Sequence, residues 1–249
     1  MELDPNSSDT TRCLARTKAT IWDWAGAEKE YRKAVILNPN SVEAHREFAG
    51  FLDNLGRLDE GWKEQQIAQQ LDPNPDRMAP DLYLPGALFI RGEYDRAIEL
   101  LLRVVETHPN DGQTHLSLSG CYEQKGMYKE AIEELGRTCA LYGHPELETR
   151  LRRAFAASGY RGALRQWAQE IEHLQATKKM YFPAYLAGIY AKLGGKDRAF
   201  YWLEESYKHP DLPGLGNDPA PGLKTDPALK SIRTDPRYFD LLRRVGLPP

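Results

Sequence analysis

The chain is predicted to be all-α, a right-handed superhelical solenoid of antiparallel helix hairpins with a C-terminal capping helix, and three observations predict it. Leu3-Asp4-Pro5-Asn6, Leu37-Asn38-Pro39-Asn40 and Leu71-Asp72-Pro73-Asn74 are near copies with prolines 34 residues apart, and His108-Pro109-Asn110 and His144-Pro145-Glu146 continue the series at 36. Between these prolines, apolar residues recur at helical spacing in two stretches separated by a glycine or polar turn. Each interval ends at a residue that cannot extend a helix, because proline lacks the amide proton and its ring clashes with the preceding turn. One hairpin cannot bury its apolar face alone, so neighbours must stack and leave a concave inner wall.

Taken in order, residues 1–6 read as the last turn of a repeat whose body is absent, which makes the chain an expected excision from a longer protein. Ala27, Tyr31 and Ala34 then lead to Pro39. In the next unit Ala44, Phe48, Phe51, Leu52 and Leu55 form one stripe, Gly56-Arg57 the turn, and Trp62, Ile67, Ala68 and Leu71 the return stripe. Pro85 falls inside the following first helix, where it should bend that helix or delay its start. Gly92 and Tyr94 mark the turn, and Ala97, Leu101 and Val104 the return. The fourth unit reads alike, with Leu116, Leu118 and Tyr122, then Gly126, then Ala131, Ile132, Leu135 and Ala140. From Pro145 to about Ala176 the positions Leu151, Ala154, Phe155, Gly159, Ala163 and Trp167 describe a degenerate repeat with a long second helix and no closing proline. Tyr190, Gly194, Ala199, Leu203 and Ser206 mark a further unit.

Lys208 to Lys224 is rich in proline and glycine and reads as a loop. Thr225-Asp226-Pro227 and Thr234-Asp235-Pro236 offer two helix starts, each with proline at the first helical position and an oxygen-bearing side chain before it. Phe239, Leu241, Leu242 and Val245 are expected to give the second an apolar face, Gly246 to stop it, and the helix to cover the exposed face of the last repeat. The expected organisation is a solenoid over residues 1–210, of about five to six hairpins with the first partial and 145–180 degenerate, and a loop and cap over 211–249.

These residues resemble the tetratricopeptide family, whose pattern asks for glycine before the turn, alanine early in the second helix, a bulky residue four later, a small one three after that, and a final proline. Ala27-Tyr31-Ala34-Pro39 and Ala97-Leu101-Val104-Pro109 fit this tail. The small residues let two helices approach closely, and Tyr31, Leu101 and Leu203 fill the gap to the next hairpin. The ending Asp235-Pro236-Arg237-Tyr238-Phe239 with Leu241-Leu242-Arg243-Arg244, and Trp22-Asp23-Trp24-Ala25-Gly26-Ala27, are similar to bacterial multidomain proteins in which such repeats follow a winged-helix domain, a kinase or a nucleotide cyclase. That resemblance implies a sensor or oligomerisation module and transfers no activity.

Composition narrows the function. A formal net charge of -3 supplies no positive field to gather phosphates or an anionic membrane surface, so neither nucleic acid nor membrane is expected as a partner. Cys13, Cys121 and Cys139 lack C-x-x-C spacing and read as reduced thiols packed at helix interfaces, favouring a cytoplasmic setting. His45 and His115 share a register in separate repeats and read as surface or capping residues; no two histidines stand at the spacing of a helical metal site. Gly194-Gly195-Lys196 follows a helix and reads as a turn, not a phosphate loop. No catalytic residue, metal site or cofactor is expected.

What remains is a scaffold that holds a protein or peptide in its groove, with self-association as a further expectation. By register, the wall draws Arg12, Arg16, Arg46 and Asn54 from the first units, and Leu82, Phe89, Gln113, Leu116 and Glu123 from the middle ones. Arg152, Tyr181 and Lys192 complete it. An apolar patch at Leu82 and Phe89 flanked by the arginines would suit a hydrophobic peptide bearing a carboxylate. The carboxylate clamp of chaperone-tail-binding family members is not reproduced, since Glu47 stands where that clamp has asparagine.

Overall fold

The computed structural model describes residues 7–73, 82–177, 182–208 and 222–248, and every described regular element is helical. The expectations for residues 1–6, for most of the loop after Lys208 and for Tyr181 lie outside the described residues. Helices α1 (Ser8–Thr20) and α2 (Trp24–Leu37) pair, as do α3 (Val42–Asn54) and α4 (Leu58–Leu71). Next come α5 (Tyr83–Ile90), α6 (Tyr94–Thr107), α7 (Gly112–Gln124), α8 (Tyr128–Leu141) and α9 (Pro145–Ala176). The chain ends with α10 (Pro183–Leu193), α11 (Lys196–Lys208), a 3-10 turn at Pro227–Ile232 and α12 (Pro236–Arg244).

Prolines end the second helices through the residue before them. Asn38, Asp72 and His108 are driven out of the helical region to φ -141, -132 and -131, because the proline ring crowds the preceding backbone. First helices start on side-chain caps: Ser41 accepts from the Ala44 amide at 3.2 Å and Asp111 from the Thr114 amide at 2.7 Å. Helix α5 begins only at Tyr83, so Pro85 sits in its first turn, where no intrahelical amide bond is required.

Contacts divide the chain into two compact units. The first holds Met1–Asn74, Pro183–Lys192 and Lys196–Pro249, and the second holds Pro75–Phe182 with Leu193–Gly195. In the first unit α2 packs on α3 and α1 on α3, around a core of Ala15, Ala27, Tyr31, Phe48, Phe51 and Leu52. Tyr31 lies 5.8 Å from Phe48 and 5.1 Å from Phe51 between ring centroids, so the bulky residue of one hairpin fills the gap to the next. In the second unit α5 packs on α6, α6 on α7, α7 on α8 and α8 on α9.

The small–bulky–small register runs through the second helices of both units. Ala27, Ala97, Ala131 and Ala199 are buried at its first position, and Tyr31, Leu101, Leu135 and Leu203 at its second. In α4 that register is Gly61, Gln65 and Ala68, which corrects the expected return stripe: Ile67 is exposed and Trp62 only half-buried. A Cβ at Gly61 would come within 2.9 Å of the Ala49 carbonyl, so glycine is what lets α4 approach α3.

Helix α9 is two helices joined at a kink, with Ser158 at φ -142 and Gly159 at φ 65, ψ -167. Its second half repeats the register as Ala163, Trp167 and Glu170, all buried. In α12 the apolar face is Tyr238, Leu241, Leu242 and Val245, spaced by three, one and three residues; Phe239 turns outward and is 47% exposed, correcting its expected inward position. Helix α12 lies along α11, with Arg237 paired to Asp197 and Arg244 to Glu204, and Ser231 of the 3-10 turn donates to the Ala191 carbonyl of α10.

Candidate functional site

Among the expected wall residues, the structure brings Arg12 and Arg16 together with a third group, Glu47. The Arg12 guanidinium is ion-paired to Glu47, and Arg16 lies 3.8 Å from the same carboxylate. The Glu47 charge and hydrogen bond raise the Arg12 pKa against an opposing desolvation, the largest single influence on it. Arg12 and Glu47 side chains are 17% and 12% exposed, whereas Arg16 is 61% exposed. Geometrically this is possible because α1 and α3 touch, so first helices of successive hairpins stand side by side.

Arg46, on the same helix as Glu47, reaches Asp72 at 3.5 Å, and Asn54 is half-buried at the end of α3. The arginines that were expected to flank a carboxylate-bearing peptide are therefore already matched by Glu47 and Asp72. Glu47, read in the sequence only as a departure from the clamp, and Asp72, the C-cap of α4, are the ion-pair partners that repeat register alone did not assign. Their signal lies in the period: Arg12 and Glu47 are 35 residues apart, one repeat and one residue.

In the second unit, Leu82 is half-buried at the N-cap of α5, and Phe89 packs edge-on to Tyr94 at 5.6 Å. The Phe89 ring also reaches Gly120 of α7, where an added Cβ would lie 3.6 Å away, so this ring serves the contact between helices as well as a surface. Gln113 and Leu116 are half-buried on α7, with the Gln113 Oε1 buried and lacking a hydrogen-bond partner among the described residues. Glu123 is half-buried and Arg152 pairs with Glu148 at 2.8 Å on the exposed face of α9. Lys192 is half-buried on α10 in the first unit.

The histidines differ from expectation. His45 and His115 are buried rather than superficial, at 5% and 0% exposure. His45 Nε2 donates to the Pro39 carbonyl at 3.1 Å while Nδ1 faces Glu64 at 2.6 Å; His115 Nε2 donates to the Pro109 carbonyl at 3.0 Å while Nδ1 faces Glu134 at 2.5 Å. Each ring thus ties the closing proline of one repeat to both helices of the next. The recurring separation of 19 residues from histidine to glutamate was a legible signal of this role. No group of three or more histidine, cysteine, aspartate or glutamate side chains is arranged to hold a metal among the described residues. No described helix is long and apolar enough to cross a membrane.

Hairpins whose contacts obey one repeated register define a helical-repeat protein. A tetratricopeptide repeat model matches residues 88–139, the segment from the end of α5 through α8. Similar curated proteins include BBSome complex member BBS4 of Bos taurus, 26% identical over 137 residues, covering 55% of this chain and 26% of that protein. Another is Hsp70-Hsp90 organizing protein 1 of Glycine max, 27% identical over 122 residues, covering 49% of this chain and 21% of that protein. The chain therefore spans about a quarter or less of the length of these relatives. Among solved structures, MamA 41-end from Desulfovibrio magneticus RS-1 matches with a TM-score of 0.52 at 16% identity, over 70% of this chain and 97% of that one, a likeness of fold.

Proposed function

We propose that the chain is a protein-interaction scaffold, and that a protein or peptide partner docks on the wall where α1 and α3 stand side by side. The reading is carried by one observation, the juxtaposition of Arg12, Arg16 and Glu47 on adjacent first helices. It is supported by the tetratricopeptide repeat matched at residues 88–139, and by relatives whose names place them in the BBSome complex and in the organisation of Hsp70 and Hsp90. Glu47 neutralises much of the arginine field, so the favoured ligand is a segment of mixed charge, its acidic group meeting exposed Arg16, rather than a bare terminal carboxylate. The formal net charge of -3 argues for protein over nucleic acid as the partner, and reduced buried thiols accord with the cytoplasm.

Pull-down from lysate followed by a peptide array tests this. Capture should fall about tenfold or more on Arg16→Glu, the weight of one well-placed charge contact. A wild-type protein that retains no peptide, or capture indifferent to both Arg16→Glu and Glu47→Gln, would remove the wall from consideration.

A further inference from the structure

We infer that the first hairpin and the C-terminal cap are joined by a sprung clasp, in which Trp22 is held in a strained backbone conformation by stacking on Tyr207. The hairpin turns make the case by comparison. Two residues before each second helix the chain must enter the left-handed region, and Gly56, Gly92, Gly126 and Gly194 do so there with φ of 78, 78, 74 and 81. Trp22 occupies the same place before α2, at φ 62, and is the one non-glycine residue with positive φ among those described. Glycine enters this region without steric cost, whereas a bulky L-residue does so only when its surroundings over-determine it. Glycine would satisfy the turn without strain, so the conformation of Trp22 needs support from outside the turn.

That support is in the same compact unit. The Trp22 ring stacks on Tyr207 at the end of α11, with centroids 5.0 Å apart and planes 24° from parallel. The guanidinium of Arg244, from α12, lies 4.6 Å from the centre of the same tyrosine and is itself held by Glu204 and Asp240. Two residues on, the Trp24 indole N–H donates to the Val245 carbonyl at 2.6 Å, at the end of α12. At the neighbouring turn the Lys224 arm lies against Gly56, where an added Cβ would meet its Cε at 3.2 Å, while its ammonium donates to the Pro248 carbonyl at 3.0 Å. Tyr207, Val245 and Lys224 thus grip the turns of the first two hairpins. Release of the stack would free Trp22 to relax, so the turn stores a bias toward opening that the stack opposes.

The sign of one substitution separates a clasp from a turn. In the wild-type chain Trp22→Gly should lower Tm by roughly 3–6 °C despite placing the ideal residue in the turn. Amide exchange in 236–247 should quicken about tenfold or more as α12 loses its tie. In a Tyr207→Ala background, where there is no stack to lose, the same change should raise Tm by roughly 2–4 °C through relief of strain. A stabilising Trp22→Gly in both backgrounds, or exchange in 236–247 that does not respond to it, would overturn the clasp and leave Trp22 an ordinary turn residue. The outcome does not depend on any partner docking at the α1–α3 wall.

Discussion

Imidazole rings buried between two acceptors leave little freedom for substitution. His115 is wholly enclosed, with a backbone carbonyl on one nitrogen and Glu134 on the other, so its removal leaves a cavity and takes the partner from both. His115→Ala should lower the unfolding free energy by about 2–4 kcal/mol in urea titration, and His45→Ala should act in the same direction. Cysteines divide just as clearly. Burial pushes the Cys121 thiol up to about 11 and Cys139 to about 12, while Cys13 is exposed, correcting the expectation that all three pack at helix interfaces. At pH 8 a thiol reagent should label one group promptly in the native protein, and the other two only as it unfolds. Shared register between His45 and His115 was visible in the sequence; their burial was not, because it depends on a glutamate in the partner helix closing over each ring.

Termini and kinks decide what single elements tolerate. Gly159 sits at φ 65 and ψ -167, a region open to almost no other residue, and it lets the chain turn from one helix directly into a second. Gly159→Ala should cost about 1–3 kcal/mol and lengthen or straighten the local helix by hydrogen-exchange mapping. At the start of α12 Asp235 accepts from the Arg237 guanidinium and from its backbone amide, and these bonds, the side-chain one foremost, hold its carboxyl down at about 2. Because the folded value lies below the unfolded one near 4, the cap contributes in full above about pH 4 and is lost as pH falls toward 2. The Tm difference between wild type and Asp235→Ala should accordingly hold steady from neutral pH to about 5 and close between about 4 and 2. The helix start itself was legible, since aspartate before proline is a local signal. Which of Tyr238 and Phe239 faces inward was not, since both adjoin the stripe and only packing against a neighbour separates them.

At the scale of the chain, the two units differ in how they are assembled from sequence. The second is nearly continuous, whereas the first draws α1–α4 from one end and α10–α12 from the other. Residues 75–182 expressed alone should keep a cooperative helical melt. Residues 1–74 alone should melt at a lower temperature than the same segment in the intact chain, since they lack Tyr207, Val245 and Lys224 against their turns. An isolated 1–74 as resistant to exchange as the intact chain would show that the C-terminal elements add nothing to it.

The repeat period, the proline stops, the small–bulky–small register and the two aspartate–proline caps follow from the sequence by itself, because each acts through backbone geometry or contacts within one or two turns. Tertiary structure alone decided that Glu47 occupies Arg12, that Glu64 and Glu134 enclose the histidines, and that Trp22 rests on Tyr207. Those partners lie 19 to 185 residues apart along the chain, and whether two such side chains meet is set by how hairpins are laid against one another, a property that no local pattern encodes.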